Sequence, residues 1–231
     1  MKYFWINLDN AEVRRNNMLK EFADNNITEH YRVNAYHSVD GSKESRESAC
    51  SRSHIQAMVH FLLDTDDEYA LICEDDLTFE LKKYWKHSVE DVVKNAPIDW
   101  GIIQLSVTLQ CIKDKFKGKD LYFKWKEQKT SSCLAWVIHR KCAIKLFNTY
   151  ISKKTNINRS PKSDCWLLGM YQIVDMHTEY TSYTYKYPMF IYPDENISQL
   201  DNSSGLHISS KRQILQYLEY NKNKNKNENN S

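Results

Sequence analysis

Tyr69-Ala70-Leu71-Ile72-Cys73-Glu74-Asp75-Asp76-Leu77-Thr78-Phe79 runs from a short, mostly apolar segment straight into three consecutive carboxylates, and apolar residues resume at once. An apolar run of this length predicts a buried strand in a sheet covered on both faces. Three acids at its end repel one another and cost desolvation unless a cation neutralises them. A hard divalent ion answers that need, because Mg²⁺ and Mn²⁺ prefer carboxylate oxygens and keep open positions for phosphate. The local pattern also fits an acidic turn facing water, so the surrounding chain has to decide.

Upstream, residues 3–8 (Tyr-Phe-Trp-Ile-Asn-Leu) predict an opening strand rich in aromatic and branched residues. A helix over 11–24 follows, with Asp9 or Asn10 as its cap and Val13, Leu19 and Phe22 among its apolar positions. A second strand is expected near 31–36, and polar residues 37–49 read as a loop. Ser53 is the candidate N-cap of a helix to Leu63, in which Ile55, Met58, Val59 and Leu62 stand at i, i+3, i+4 and i+7.

Downstream, 81–95 reads as a helix ended by Pro97, and Trp100–Leu105 as another buried strand. Residues 110–130 read as a loop or hairpin, Cys133–Ile138 as a strand and Arg140–Ile151 as a helix. Asp164–Tyr171 opens a further helix, and Tyr183–Tyr192 carries strand-forming aromatics interrupted by Pro188. A last helix is expected over 210–220, and the Lys-Asn-rich tail, 221–231, reads as disordered. Alternating strands and helices predict one α/β domain over 1–220 with a mixed, mostly parallel, Rossmann-like sheet flanked by helices. Ligands bind at the carboxyl ends of strands in such sheets. Glu74, Asp75 and Asp76 stand at one such end and Asn7 to Asp9 at another, which favours the cation reading.

The chain of 231 residues is 41% hydrophobic and 27% charged, with a formal net charge of +2. That balance, with no basic stripe, gives no ground for a nucleic-acid partner. Six cysteines occur without a CxxC pair and read as reduced, buried small hydrophobes. The N-terminus lacks a signal peptide's apolar core, and no apolar run approaches the roughly 20 residues that span a bilayer. The expectation is therefore a cytoplasmic enzyme of a bacterium or large DNA virus, of open oligomeric state. No GxGxxG, GxxxxGK[ST], HExxH or GxSxG motif is present, so the common dinucleotide, P-loop, zincin and hydrolase readings lack support.

Four elements carry a family resemblance. Ile6-Asn7-Leu8-Asp9 with Arg14-Arg15 resembles the opening "INLD…R" element of glycosyltransferase family 25. Cys50-Ser51-Arg52-Ser53-His54 resembles its "GCxxSH" segment, with Ala49 in place of Gly, and Leu71-Ile72-Cys73-Glu74-Asp75-Asp76 resembles its "LILEDD". Thr130-Ser131-Ser132-Cys133-Leu134-Ala135-Trp136-Val137-Ile138 is similar to its "TSGxxAYLI", again without the Gly. The elements keep the family's order and span roughly residues 3–150.

The resemblance implies a GT-A fold and a Mn²⁺- or Mg²⁺-dependent, inverting transfer of a hexose from UDP-galactose or UDP-glucose. The acceptor would be a hydroxyl of a glycan or of a collagen-like hydroxylysine. It puts Glu74, Asp75 and Asp76 in the role of a DxD motif. Asp76 is the first metal ligand, Glu74 a ligand directly or through water, and Asp75 a contact of ribose or donor sugar.

GT-A enzymes commonly add a ligand near the C-terminus; His207 is the candidate here, with His177 and Asp194 as rivals. Asn7, Asp9 and Arg14 would bind uridine and ribose, although Asp9 could be only a helix cap. Ser53 and His54 would present helix N-terminal amides to an anion, or His54 would pack beneath the acidic strand. Asp164 is the candidate base for the acceptor hydroxyl, with a plain N-cap as its alternative. Trp166 and Tyr192 could stack on sugar rings or simply pack in the core. Two competing readings are a sugar nucleotidyltransferase and a catalytically silent nucleotide-sugar- or glycan-binding domain.

Overall fold

The computed structural model describes residues 1–108, 112–128, 130–152, 174–175, 178–193 and 204–228. Its centre is a seven-stranded sheet in the order β2-β1-β3-β6-β4-β7-β5. The strands are β1 (Lys2–Asn7), β2 (His30–Asn34), β3 (Tyr69–Glu74), β4 (Trp100–Gln104), β5 (Tyr122–Lys124), β6 (Ala135–His139) and β7 (Thr181–Tyr185). β1 pairs in parallel with β2 and β3, and β4 with β7; the pairings of β6 with β3 and β4, and of β5 with β7, are antiparallel. Five strands therefore run one way and β6 and β5 oppose them. This is the mixed, mostly parallel α/β sheet expected from the alternation of elements.

β3 is central, and its apolar run is divided between two layers by the two-residue period of a strand. Leu71 and Cys73 face a cluster containing Met18 and Phe22 of α1 (Glu12–Asp24) and Val89, Val92 and Val93 of α3 (Val89–Lys94). Ala70 and Ile72 face a second cluster containing Ala57, Met58 and Phe61 of α2 (Lys43–Asp64) and Leu146 of α6 (Arg140–Ser152). Residues 70–73 have no exposed surface. Burying side chains such as Leu71 and Ile72 is worth about 1.5–3 kcal/mol each. That anchorage fixes where the strand ends. The register pairs Ile6 with Glu74, so Asn7 at the end of β1 lies beside Asp75.

Several elements differ from the sequence reading. α2 begins at Lys43, where Ser42 caps it by accepting from the Ser45 amide, so residues 43–49 are helix and Ser53 is mid-helix. The first two turns of α2 are polar and show no apolar stripe, which is why they read as loop. α1 has Ala11 at its N-cap with no side-chain cap, so neither Asp9 nor Asn10 caps it.

The stretch 81–95 splits into a 3₁₀ turn (Glu80–Tyr84) and α3, started by a capping box of Ser88 and Asp91. Between 110 and 130 lie α4 (Ile112–Lys115), β5 and α5 (Trp125–Gln128). β7 stops at Tyr185, ahead of Pro188, and the chain then returns beneath the end of β3. There the Thr78 amide donates to the Ile191 carbonyl at 3.0 Å. The last helix, α7, runs Ser204–Glu228, through most of the Lys-Asn tail expected to be disordered. Ile214, Tyr217 and Leu218 anchor it in a third apolar cluster, and a helix so nucleated propagates cheaply.

Candidate functional site

The carboxyl ends of β1 and β3 bring Asn7, Asp75 and Asp76 together, and α1 supplies Arg14 to them. Arg14 donates through one terminal nitrogen to Asp75 Oδ1 at 2.7 Å and through the other to Asp76 Oδ2 at 3.0 Å. Asn7 Nδ2 donates to Asp75 Oδ2 at 2.6 Å, while Asn7 Oδ1 accepts from Arg15 and Arg32. Both aspartate side chains are only 8% exposed. Burial pushes the Asp76 carboxyl up to about 8, helped by the charges of Glu74 and Asp75 and opposed by Arg14. Burial also raises Asp75, against Arg14 and Asn7. Among the described residues Asp76 Oδ1, itself buried, has no hydrogen-bond partner. An ionised carboxylate held in that way lacks compensation for one of its oxygens.

Glu74 faces elsewhere. Its Oε1 accepts from His54 Nε2 at 3.1 Å and from the thiols of Cys133 at 2.9 Å and Cys50 at 3.7 Å. Burial opposes its charge, but the hydrogen bond and charge of His54 prevail and keep the carboxyl below its ordinary value. Burial likewise disfavours the His54 cation, while Cys50 and Glu74 more than offset this and raise the ring to about 9. The Trp136 indole, which can only donate, is 3.4 Å from His54 Nδ1 and favours the neutral Nε2–H tautomer. At that distance it is the weaker influence, and Glu74 is the partner that orients the ring. His54 is therefore a packed residue beneath the acidic strand.

The segment that delivers Cys133 is held from behind. Gln104 Nε2 donates to the Ser132 carbonyl at 2.9 Å, Thr184 donates to Gln104 Oε1 at 3.0 Å, and Trp125 Nε1 donates to the Thr130 carbonyl at 2.9 Å. Ser132 stands where the family-like segment would have Gly, and its φ is +144°. That backbone is strained for a residue with a Cβ and costs about 1–3 kcal/mol. Ser132 Oγ offsets part of this through a 2.8 Å hydrogen bond with Ser106.

Other expected site residues fall in different places. Asp9 is exposed and accepts from Arg32 and Asn34, both at 2.7 Å, beside the Asn7 cluster. Ser53 donates to the Ala49 carbonyl at 2.7 Å and accepts from the Tyr36 amide at 2.9 Å. It ties α2 to the end of β2, and the expectation of free helix N-terminal amides at Ser53 and His54 is not met.

His207, near the start of α7, meets the Tyr192 ring edge-on at 4.5 Å, and its buried Nδ1 has no hydrogen-bond partner among the described residues. Both line a small cleft, with room for about one water, together with Ser106, Thr108, Ser210 and Lys211. Among the described residues His207 does not join Asp75 or Asp76 in a group of three metal-ligating atoms. Asp164, Trp166, His177 and Asp194 lie outside the described residues. The sequence reading missed Arg32, Cys50 and Cys133. The available signal was the i, i+4 spacing of Cys50 and His54, which puts both on one helix face.

No protein-family model matches the chain. A protein of Acanthamoeba polyphaga mimivirus, provisionally named a glycosyltransferase, is 27% identical over 138 residues, covering 53% of this chain and 42% of its own length. The chain thus spans less than half of that relative. Among solved structures, the fold is similar to a glycosyltransferase involved in the glycosylation of the major capsid of PBCV-1. That likeness has a TM-score of 0.48 at 8% identity and covers 90% of this chain and 98% of the other. It is also similar to the galactosyltransferase LgtC in complex with donor and acceptor sugar analogs, at a TM-score of 0.38 and 9% identity, over 74% and 70% of the two chains. Likenesses that loose transfer no function. Among the described residues no helix is long and apolar enough to cross a membrane.

Proposed function

We propose that the chain is a GT-A glycosyltransferase that moves a hexose from a UDP-sugar to an acceptor hydroxyl. The observation that carries this is the pair Asp75–Asp76 at the carboxyl end of a buried central strand, clasped by Arg14 and Asn7, with Asp76 Oδ1 buried and unpartnered. The mimivirus relative and the four family-like elements support the same reading. An unpartnered, buried carboxylate oxygen fits a hard dication, and Asp76 is the residue that would hold Mn²⁺ or Mg²⁺. When bound, such an ion supplies Lewis-acid neutralisation of the diphosphate that departs.

The chain's own residues do the rest. Asn7 and Arg14 fix the two carboxylates in orientation, and the guanidinium keeps Asp75 available for ribose or donor-sugar hydroxyls. Glu74 Oε1 is engaged with His54 and the two thiols, which favours Asp76 over Glu74 as the residue that holds this ion. Asp164 stands as the candidate base on the resemblance alone, and a glycan or collagen-like hydroxylysine as the candidate acceptor.

Titrating the protein with UDP-galactose and UDP-glucose, with and without Mn²⁺, tests the reading by calorimetry. The expected result is Mn²⁺-dependent binding that Asp76→Asn weakens at least 10-fold; absence of binding with either sugar would overturn it. Arg14 already spans both acids, and this favours a second reading in which donor binding needs no dication. Undiminished binding in EDTA would select that reading.

A further inference from the structure

Behind the acidic rim, Cys50, His54, Glu74 and Cys133 each offer one ligand atom, and these atoms all lie within 4.8 Å of one another. We propose that these four side chains form a second, thiophilic metal site that takes Zn²⁺ as a structural ion. The donor set is two thiolates, one imidazole and one carboxylate, which suits a borderline-soft dication and not Mg²⁺ or Mn²⁺.

The geometry is close to what such an ion requires. A tetrahedron built on ordinary zinc–sulfur, zinc–nitrogen and zinc–oxygen bond lengths has ligand-to-ligand edges of about 3.3–3.8 Å. The edges from Glu74 Oε1 are 3.1 Å to His54 Nε2, 3.7 Å to Cys50 Sγ and 2.9 Å to Cys133 Sγ. The remaining edges lie within 4.8 Å, so side-chain shifts of up to about 1 Å close the site.

The four ligands come from three separate elements. Cys50 and His54 lie one turn apart on α2, Glu74 ends β3, and Cys133 precedes β6. His54 is buried, whereas the two cysteines and Glu74 keep partial exposure through which an ion can enter. All four cysteines among the described residues that could bear on this are free thiols. A dication here would tie α2, β3 and the approach to β6 together directly beneath Asp75 and Asp76.

The protons balance simply. Zn²⁺ displaces to solvent the thiol protons and the Nε2 proton of the His54 imidazolium, whose Nδ1 proton stays in place. Two thiolates, one carboxylate and one dication leave a net charge of −1, which lies in the field of Arg14.

Co²⁺ is the probe of choice, since thiolate-to-cobalt charge transfer absorbs strongly and an oxygen-only site such as Asp76 gives no such band. Co²⁺ added to the metal-stripped, reduced chain should produce one equivalent of thiolate charge-transfer absorption, displaced by Zn²⁺. Cys50→Ser and Cys133→Ser should each reduce Co²⁺ affinity by at least 100-fold, while Asp76→Asn leaves the band intact. Three results would each overturn the site: no charge-transfer band with the wild-type chain, a band that survives Cys50→Ser together with Cys133→Ser, or a band lost in Asp76→Asn. Because the wild-type spectrum alone can refute it, the test does not depend on the cysteine variants folding.

Discussion

Glu74 and Asp76 are two residues apart on one strand end, yet they occupy opposite chemical worlds. Asp76 sits with a guanidinium and another carboxylate, and one of its oxygens has no partner. Glu74 accepts from an imidazole and two thiols, and its charge is stabilised. The strand ends at Glu74 and the chain turns at Asp75 and Asp76, so the period that would put residues 74 and 76 on one face no longer holds there. An acidic triplet is thus not one cluster: Asp75 and Asp76 share Arg14 and form the rim, and Glu74, engaged by His54 and two thiols, forms the floor.

The largest effect that would break this comparison is on activity. Asp76→Asn should lower transfer or donor hydrolysis by about 10²-fold or more, because it removes the oxygen left for a dication. The fold should survive, and a circular-dichroism melt checks that. A Glu74→Gln variant that lost activity as completely, with an unchanged melt, would erase the distinction between rim and floor. Next in size is Arg14→Met, which leaves two buried carboxylates without their cation and should cost about 3–5 kcal/mol in urea denaturation.

A smaller effect is expected from pH. The Asp76 carboxyl titrates near 8 in the folded, metal-free chain and near its ordinary carboxylate range when unfolded. The folded state therefore binds the proton more tightly, and this contribution to stability is fully present below the unfolded value and lost as pH rises through about 8. In EDTA, wild-type stability should fall between about pH 4 and pH 8, and Asp76→Asn should flatten that slope. Smallest of all, Asp9→Ala should change stability by no more than about 1 kcal/mol, since its ion pair with Arg32 is exposed. A larger loss would place Asp9 within the rim.

The strand carrying the acids was legible because burial on both faces leaves an unbroken apolar run, and the meeting of β1 and β3 followed from alternation of elements. Asn7, Arg14, Asp75 and Asp76 do converge. The floor was not legible. Cys50 and Cys133 are 83 positions apart, and nothing in either local pattern tells a packed thiol from one aimed at a carboxylate. The start of α2 was missed because its first turns bury little, so they carry no apolar period, and the cap at Ser42 was outvoted by polar composition. The length of α7 was missed for a related reason: its exposed end follows from packing at Ile214 and Tyr217, not from the Lys-Asn run itself.

The most direct test of the account is the release of UDP from a panel of UDP-hexoses with Mn²⁺, compared between the wild-type chain and Asp76→Asn. The account predicts turnover by the wild type with at least one UDP-hexose and loss of about two orders of magnitude in the variant. No turnover with any UDP-hexose, or equal turnover by the two proteins, would contradict it.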